Sequence, residues 1–400
     1  MRYYIIAGEA SGDLHGSNLM KGLYATDPQA SIRFWGGDKM EEVYRASEQC
    51  ADAQNANEQS KGGLVQHYKA TAVMGISDVL KNLGRISRNL DKCKKDIESW
   101  NPDVVILIDY PGFNLKIAEF AHKKGLKVFY YIAPKVWASR EGRIRKIKRF
   151  VDKLFIIFPF EIPYFTQKDI PFIYKGNPLI DAVDSSPAMK ESSEDFFKRH
   201  GLTPHKYIAI LAGSRKGEIS RMMPVCMEVV DKLCQEAKGE NLHFIVAGAP
   251  SAKKEDYLSY IGERKQVHLV FNDSYGILKN AACAIINSGT ASLEAALIGT
   301  PQVVCWSSSA LTVFVGRKIL RIFDHIKYIS LGNLIVDRLV FKEFIQEDFN
   351  VEMVTEEIGR LMSDDYRQEM LKGYAEIRSA LGGQGASTAI AQAMLTELQK

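Results

Sequence analysis

The sequence predicts an α/β protein of two Rossmann-like domains, each built on a parallel sheet, with a ligand cleft between them. Three observations predict it. The 400 residues exceed what one hydrophobic core usually organises. Short apolar runs rich in β-branched and aromatic residues alternate with stretches of helical spacing. That rhythm breaks at Gly176-Asn177-Pro178 and then starts again.

In the first half, residues 3–7, 32–35, 104–108, 128–132 and 154–157 read as strands, and 14–24, 114–124 and 139–150 as helices. Strands joined through helices run parallel. A polar stretch at 185–194 follows the break, so the domains are expected at 1–176 and 177–365. In the second half, 207–211, 244–247, 268–270, 282–286 and 302–305 read as strands. Residues 351–400 look helical apart from Gly382-Gly383-Gln384-Gly385. The block 366–400 is expected to pack back on the first domain or on a partner subunit.

Composition narrows the function classes. Hydrophobic residues make up 46% and charged residues 25%, and no run approaches the roughly 20 apolar residues that span a bilayer. Residues 1–7 run straight into Gly8 and Glu9, with no long apolar core or cleavage site of a signal peptide, so the chain is expected to be cytoplasmic. Cys50, Cys93, Cys226, Cys234, Cys283 and Cys305 form no C-x-x-C pair and have no histidine at ligand spacing. Neither a disulfide framework nor a metal site is therefore expected. The net charge of +4 identifies no nucleic-acid partner. Its distribution is more telling, because Arg140, Arg143, Arg145, Lys146, Lys148 and Arg149 fall in one segment.

In open parallel sheets ligands bind beyond the carboxyl ends of the strands, so the loops there carry the argument. The first is Gly8-Glu9-Ala10-Ser11-Gly12-Asp13. Its glycines allow a tight turn and close approach, and Ser11 or Asp13 can cap the following helix. Two acids would repel a pyrophosphate and suit sugar hydroxyls better; a capped turn without ligand is the plain alternative. The second loop begins at Asp109, which ends the apolar run Val104-Val105-Ile106-Leu107-Ile108. A carboxylate leaving such a strand is partly desolvated and makes a candidate general base toward a sugar hydroxyl, with Asn114 orienting the same substrate. Its alternative is a helix cap.

The third loop, Gly213-Ser214-Arg215 ahead of Lys216-Gly217-Glu218, joins a glycine, a hydroxyl and an arginine at a helix start, which suits a diphosphate. It lacks Walker spacing. The fourth is Asn287-Ser288-Gly289-Thr290-Ala291-Ser292-Leu293-Glu294. Ser288 or Thr290 can bond a phosphate and Glu294 the hydroxyls of a ribose, while a capping box accounts for the same spacing without a ligand. The basic run at 140–149 is either a solvated helix face or a surface for anionic lipid head groups.

Taken together, residues 8–13, Ala72-Val73-Met74-Gly75-Ile76, 108–114, 211–215, 287–294 and Tyr328-Ile329-Ser330-Leu331-Gly332-Asn333-Leu334 resemble the lipid-A-disaccharide synthase family, in order and along almost the whole chain. The resemblance implies the B-type glycosyltransferase architecture and no cofactor or metal. It implies UDP-2,3-diacylglucosamine and 2,3-diacylglucosamine 1-phosphate as substrates, an anionic membrane surface as partner, and a place on the inner face of the inner membrane; it leaves room for a homodimer. The first domain becomes the acceptor half and the second the UDP-sugar half. Arg215, Gly213, Ser214, Ser288, Gly289, Thr290, Glu294, Asn333 and Gln346 are implied to bind the nucleotide sugar. Asp109, Ser11 and Asp13 form the implied catalytic neighbourhood, and Glu9, Gly12, Asn114 and Met74 are expected at the acceptor. No histidine role is carried to Asn177, whose loop reads as a hinge.

The expected chemistry is in-line displacement at the anomeric carbon, with Asp109 as base and Arg215 plus helix N-termini stabilising departing UDP. The same frame also suits a UDP-sugar epimerase, another UDP-sugar transferase, or a non-catalytic nucleotide-sugar or membrane-surface binding module, because fold alone does not fix chemistry. The helically spaced Val73, Ile76, Val79, Leu80 and Leu83 fit either a core face or a membrane-facing one.

Overall fold

The structure is a computed structural model that describes residues 1–47, 62–71, 83–134, 142–237, 242–308 and 327–400. Its two compact units comprise Met1–Ala182 with Gly383–Lys400, and Val183–Gly382.

The first unit holds a seven-stranded parallel sheet in the order β3-β2-β1-β4-β5-β6-β7. The strands are β1 (Arg2–Ala7), β2 (Ser31–Gly36), β3 (Gly63–His67), β4 (Val104–Ile108), β5 (Lys127–Tyr131), β6 (Lys153–Ile156) and β7 (Phe172–Tyr174). All five residues of β4 are buried, as a central strand covered on both faces requires. Helices α1 (Ala10–Thr26), α2 (Asp38–Ala46), α3 (Leu83–Trp100), α4 (Pro111–Lys123), α5 (Arg143–Phe150) and α6 (Glu161–Gln167) connect them.

The second unit repeats the plan with six strands, ordered β10-β9-β8-β11-β12-β13. They are β8 (Tyr207–Leu211), β9 (His243–Gly248), β10 (Val267–Phe271), β11 (Cys283–Asn287), β12 (Gln302–Trp306) and β13 (Glu343–Ile345). Its helices are α7 (Ser193–Arg199), α8 (Lys216–Glu236), α9 (Glu255–Ile261), α10 (Ser274–Asn280), α11 (Thr290–Ile298), α12 (Leu331–Val336), α13 (Val351–Leu361) and α14 (Asp364–Leu381). The last helix, α15 (Ala386–Leu398), belongs to the first unit. In both sheets the strand order reverses once, at β1/β4 and at β8/β11, and such switch points are where open sheets form ligand crevices.

The expected strands all form, and β3, β7 and β13 are added at sheet edges. Edge strands are short and carry few consecutive apolar residues, which hides them from a hydrophobic pattern. The expected block 366–400 divides. Most of α14 packs beside α11 and α12 in the second unit, whereas α15 lies along α1. There Gly22 permits the approach, since a Cβ would come 2.8 Å from the Ser387 carbonyl oxygen. The division of the chain falls after Ala182 rather than at 176. Buried Asn177 accounts for this: its Nδ2 donates to the Ile157 carbonyl at 3.0 Å and its Oδ1 accepts from the Leu179 amide at 2.9 Å. The segment read as a hinge is thereby tied to the first unit.

Candidate active site

Register places the first two sequence loops side by side. Ala7 pairs with Ile108 and Ile108 with Tyr131, so β1, β4 and β5 end level. Two of these ends turn without glycine: Asp109 (φ 42°) and Tyr110 (φ 46°) after β4 and Ile132 (φ 63°) after β5 are all left-handed. Each such non-glycine residue costs about 1–3 kcal/mol and persists only where its surroundings hold it. The Asp109 carbonyl is held by Tyr130 Oη at 2.6 Å and Asn114 Nδ2 at 2.8 Å, and Asn114 Nδ2 also donates to the Ile108 carbonyl at 3.1 Å. Burial raises the Tyr130 phenol pKa and the Asp109 charge raises it further, so the hydroxyl stays a donor. The Tyr110 ring stacks on Phe113 with centroids 5.4 Å apart. It also lies against Gly8, where a Cβ would fall 2.3 Å from the ring. Gly8 is thus required by the neighbouring loop, since its own backbone is not left-handed.

These contacts change two assignments. Asn114, expected to orient the acceptor, is fully buried and acts on the backbone of Asp109. Asp13, expected beside the reacting groups, is only 3% exposed. Its Oδ1 accepts from the amides of Gly37 at 2.7 Å and Met40 at 3.1 Å, and its Oδ2 from Lys39 at 3.1 Å. It caps the N-terminus of α2 from another helix, a favourable place for a negative charge. Ser11 remains half-buried and Glu9 exposed at the start of α1. Gly12 lies under them, where a Cβ would meet that of Ala7 at 3.2 Å. His15, buried on α1, has its pKa lowered to about 4 by burial and is neutral at neutral pH.

In the second unit Leu211 pairs with Ile286, Asn287 with Cys305 and Trp306 with Ile345, so four loops again leave together. Gly213 takes φ +106°, and a Cβ there would come 2.6 Å from Glu218 Oε2. That oxygen accepts from the amides of Ser214 at 3.0 Å and Arg215 at 3.2 Å. The backbone donors expected to cradle a diphosphate at this turn are therefore occupied by an acid of α8. The Arg215 side chain, half-exposed, lies 3.4 Å from Glu218 Oε1. Glu218 was visible as the third residue of a helix after a polar N-cap, the spacing of a capping box.

The helix start at Thr290 is different. Its N-cap is Gly289, and no side chain caps the first turn. Amide donors and the positive end of the macrodipole there suit an anion. Ser288 is fixed beside it: its amide donates to the Cys305 carbonyl at 2.8 Å and its hydroxyl to the Ile329 carbonyl at 3.2 Å. Glu294 accepts from Tyr275 Oη at 3.0 Å, and burial followed by the Glu294 charge raises that phenol's pKa.

Residues 3–396 match the family described as lipid-A-disaccharide synthetase. Lipid-A-disaccharide synthase of Trichlorobacter lovleyi is 34% identical over 402 aligned residues, covering 100% of this chain and 98% of its own. That of Geobacter sulfurreducens is 35% identical with the same coverage. The chain belongs to the lipid-A-disaccharide synthetase family. It is accordingly an enzyme of the glycosyltransferase class in lipid A biosynthesis. Its fold is similar to that of UDP-GlcNAc 2-epimerase from Neisseria meningitidis bound to UDP-GlcNAc, with TM-score 0.65 and 14% identity over 99% of this chain and 100% of that one.

Other residues implied by membership of the lipid-A-disaccharide synthetase family divide. Asn333 is fully buried and spent on the protein. Its Nδ2 donates to the Phe341 carbonyl at 3.0 Å and to Glu343 Oε1 at 2.7 Å, and its Oδ1 accepts from the Val340 amide at 2.8 Å. The expected direct contact with a nucleotide sugar is not available to that amide. Glu343 also binds the amides of Ile329 at 2.8 Å and Ser330 at 3.1 Å, so Asn333 shapes the loop that holds Ser288. Gln346, left-handed at φ 57°, pairs with the Ser308 amide at 2.5 Å and carbonyl at 3.3 Å, steadying the end of β12. Met74, the apolar stripe at 73–83 up to residue 82, and Arg140 lie outside the described residues. Among the described residues no helix is long and apolar enough to cross a membrane.

Proposed function

We propose that the protein joins UDP-2,3-diacylglucosamine to 2,3-diacylglucosamine 1-phosphate through a β-1,6 bond with inversion, giving lipid A disaccharide 1-phosphate and UDP. The observation that carries this reading is the contrast at the two switch points: a left-handed turn that carries the Asp109 carboxylate at the end of β4, and a glycine-capped helix start with a nearby arginine loop beyond β8 and β11. Asp109 takes the proton of the acceptor 6-hydroxyl as that oxygen attacks the anomeric carbon. The bond from that carbon to the diphosphate breaks, and UDP leaves with the electron pair. Arg215, Thr290 and the first-turn amides of α11 stabilise the charge it gains, and the Ser288 hydroxyl joins them once it turns from the Ile329 carbonyl. An arginine suits this better than a lysine, because its planar fork matches two phosphate oxygens. Glu294 binds the ribose, while Gly213 and Gly289 let the backbone approach. Ser11 and exposed Glu9 meet the acceptor sugar, Asn114 acts as a positioning residue through the Asp109 backbone, and Asp13 serves the frame by capping α2.

The acyl chains of both substrates place the reaction at a membrane surface, which we assign to the inner face of the inner membrane. The test is mass spectrometry of products from UDP-2,3-diacylglucosamine alone and then with the monosaccharide phosphate. A disaccharide 1-phosphate and stoichiometric UDP are expected only with both. UDP release without acceptor, or interconversion of the donor sugar, would point to a hydrolase or an epimerase instead.

A further inference from the structure

At the opposite end of the second sheet from the nucleotide loops, three histidines converge. His205 precedes β8, His243 opens β9 and His268 is the second residue of β10. Tyr207 pairs with His243 and His268 with Ile245, so the three lie on neighbouring strands at their amino ends. One ring nitrogen from each lies within 4.8 Å of the others. The rings of His205 and His243 stack with centroids 3.6 Å apart, and those of His243 and His268 are 5.8 Å apart.

Both ring nitrogens of His243 and Nε2 of His268 are shielded from solvent and have no hydrogen-bond partner among the described residues. A shielded polar atom without a partner is destabilising, so a chain that gathers three such nitrogens on two rings gains from whatever binds their lone pairs. We propose that His205, His243 and His268 form a binding site for a divalent transition-metal ion of the zinc class. Imidazole nitrogen is a preferred ligand of such ions, and three histidines with one open position make a recognised coordination set. At the usual zinc–nitrogen length of about 2.0–2.1 Å, tetrahedral nitrogens stand about 3.3 Å apart. Binding would draw the three nitrogens together from within 4.8 Å and splay the stacked rings of His205 and His243.

Protonation is also arranged for it. Burial and the neighbouring imidazoles lower the pKa of His243, and burial and His205 lower that of His268. Metal ligands must be deprotonated, and both shifts run in that direction. The ion would clip the segment before β8 to β9 and β10. Lying at the amino ends of the strands, it takes no part in the glycosyl transfer, which uses the carboxyl ends.

The test uses the full chain without a histidine tag, stripped with EDTA and dialysed. Titration with Zn²⁺ alone, followed by calorimetry and thermal unfolding, is expected to show one saturable site per chain and a raised Tm. His243→Ala should weaken that site at least a hundredfold, and His205→Ala, a substitution outside any strand, at least tenfold. Circular dichroism shows whether each variant keeps its fold. EDTA should lower Tm and leave UDP release unchanged. Absence of a saturable site, or equal uptake by wild type and a folded His205→Ala variant, would overturn the proposal and leave only a stack of imidazole rings. Neither outcome bears on the glycosyl-transfer reading, which its own product analysis tests.

Discussion

The two switch points solve opposite problems. In the first unit the turn after β4 is made of non-glycine residues held left-handed, with Asn114 and Tyr130 gripping the carbonyl of the strained Asp109. In the second unit glycine does the work: Gly213 takes the left-handed turn and Gly289 opens α11 without a capping side chain. Strain fixes one side chain in one direction, which proton abstraction needs. Glycine makes room for Glu218 at the first of these turns, and at the start of α11 it leaves backbone donors for an anion. On the proposed reading, the loop after β4 aims a group and the loop before α11 leaves room for a ligand.

The largest effect should come from breaking the aimed group. Asp109→Asn keeps the shape of the turn and removes the base, so turnover should fall about 10²–10⁴-fold while UDP affinity stays within a few-fold. Steady-state rates and calorimetry on the same preparation measure both. Asp13→Asn is the control. If Asp13 only caps α2, its loss should lower Tm and leave turnover per folded molecule within a few-fold. Retention of more than a tenth of wild-type turnover in Asp109→Asn would remove that residue from the role.

On the donor side, Arg215→Ala should weaken UDP binding by about 1.5–3 kcal/mol, the range for hydrogen bonds to charged groups. The structure sharpens this expectation, because Glu218 already occupies the amides of Ser214 and Arg215. The side chain and the start of α11 are then the principal donors at these loops. Unchanged UDP affinity in calorimetry would move the diphosphate away from this loop altogether.

The site was legible where chemistry coincided with local pattern. Asp109 stands at the end of five apolar residues, and the Ser288-Gly289-Thr290 turn stands between a strand and a helix, so sequence alone could place both. What stayed hidden depends on neighbours across the sheet. Nothing near Asp13 in the chain announces that Gly37, Lys39 and Met40 claim its carboxylate, so that of the loop's two acids only Glu9 is exposed. Asn333 and Gln346 followed from family resemblance as ligand contacts, but their amides bond the backbone of adjacent loops. His205, His243 and His268 are far apart in sequence and close only through the register of β8, β9 and β10. A search for ligands at local spacing passes over them.

The smallest effect per residue is expected at the membrane surface, where the exposed face of α5 continues the contrast between fixed and open groups. Ile144, Ile147 and Phe150 face inward, while Arg145, Lys146, Lys148 and Arg149 are exposed. Lys146 pairs with Glu119 at 3.3 Å and Lys148 with Asp169 at 3.0 Å. Exposed pairs of this kind contribute about 0–1 kcal/mol, so an anionic lipid phosphate can replace either acid at little cost. Arg143 is a poor probe, because its charge acts on Tyr130, whose hydroxyl holds Asp109. Changing Arg145, Lys146 and Arg149 to Ser avoids that loop and should weaken binding to vesicles containing phosphatidylserine by at most about 1 kcal/mol per residue. Raising salt from low to physiological strength should weaken wild-type binding in the same direction, since the Debye length falls to about 8 Å. Vesicle co-sedimentation reads both effects. Binding that ignores salt and all three substitutions would show that this face is simply solvated, and attachment would then have to come from apolar contact elsewhere in the chain.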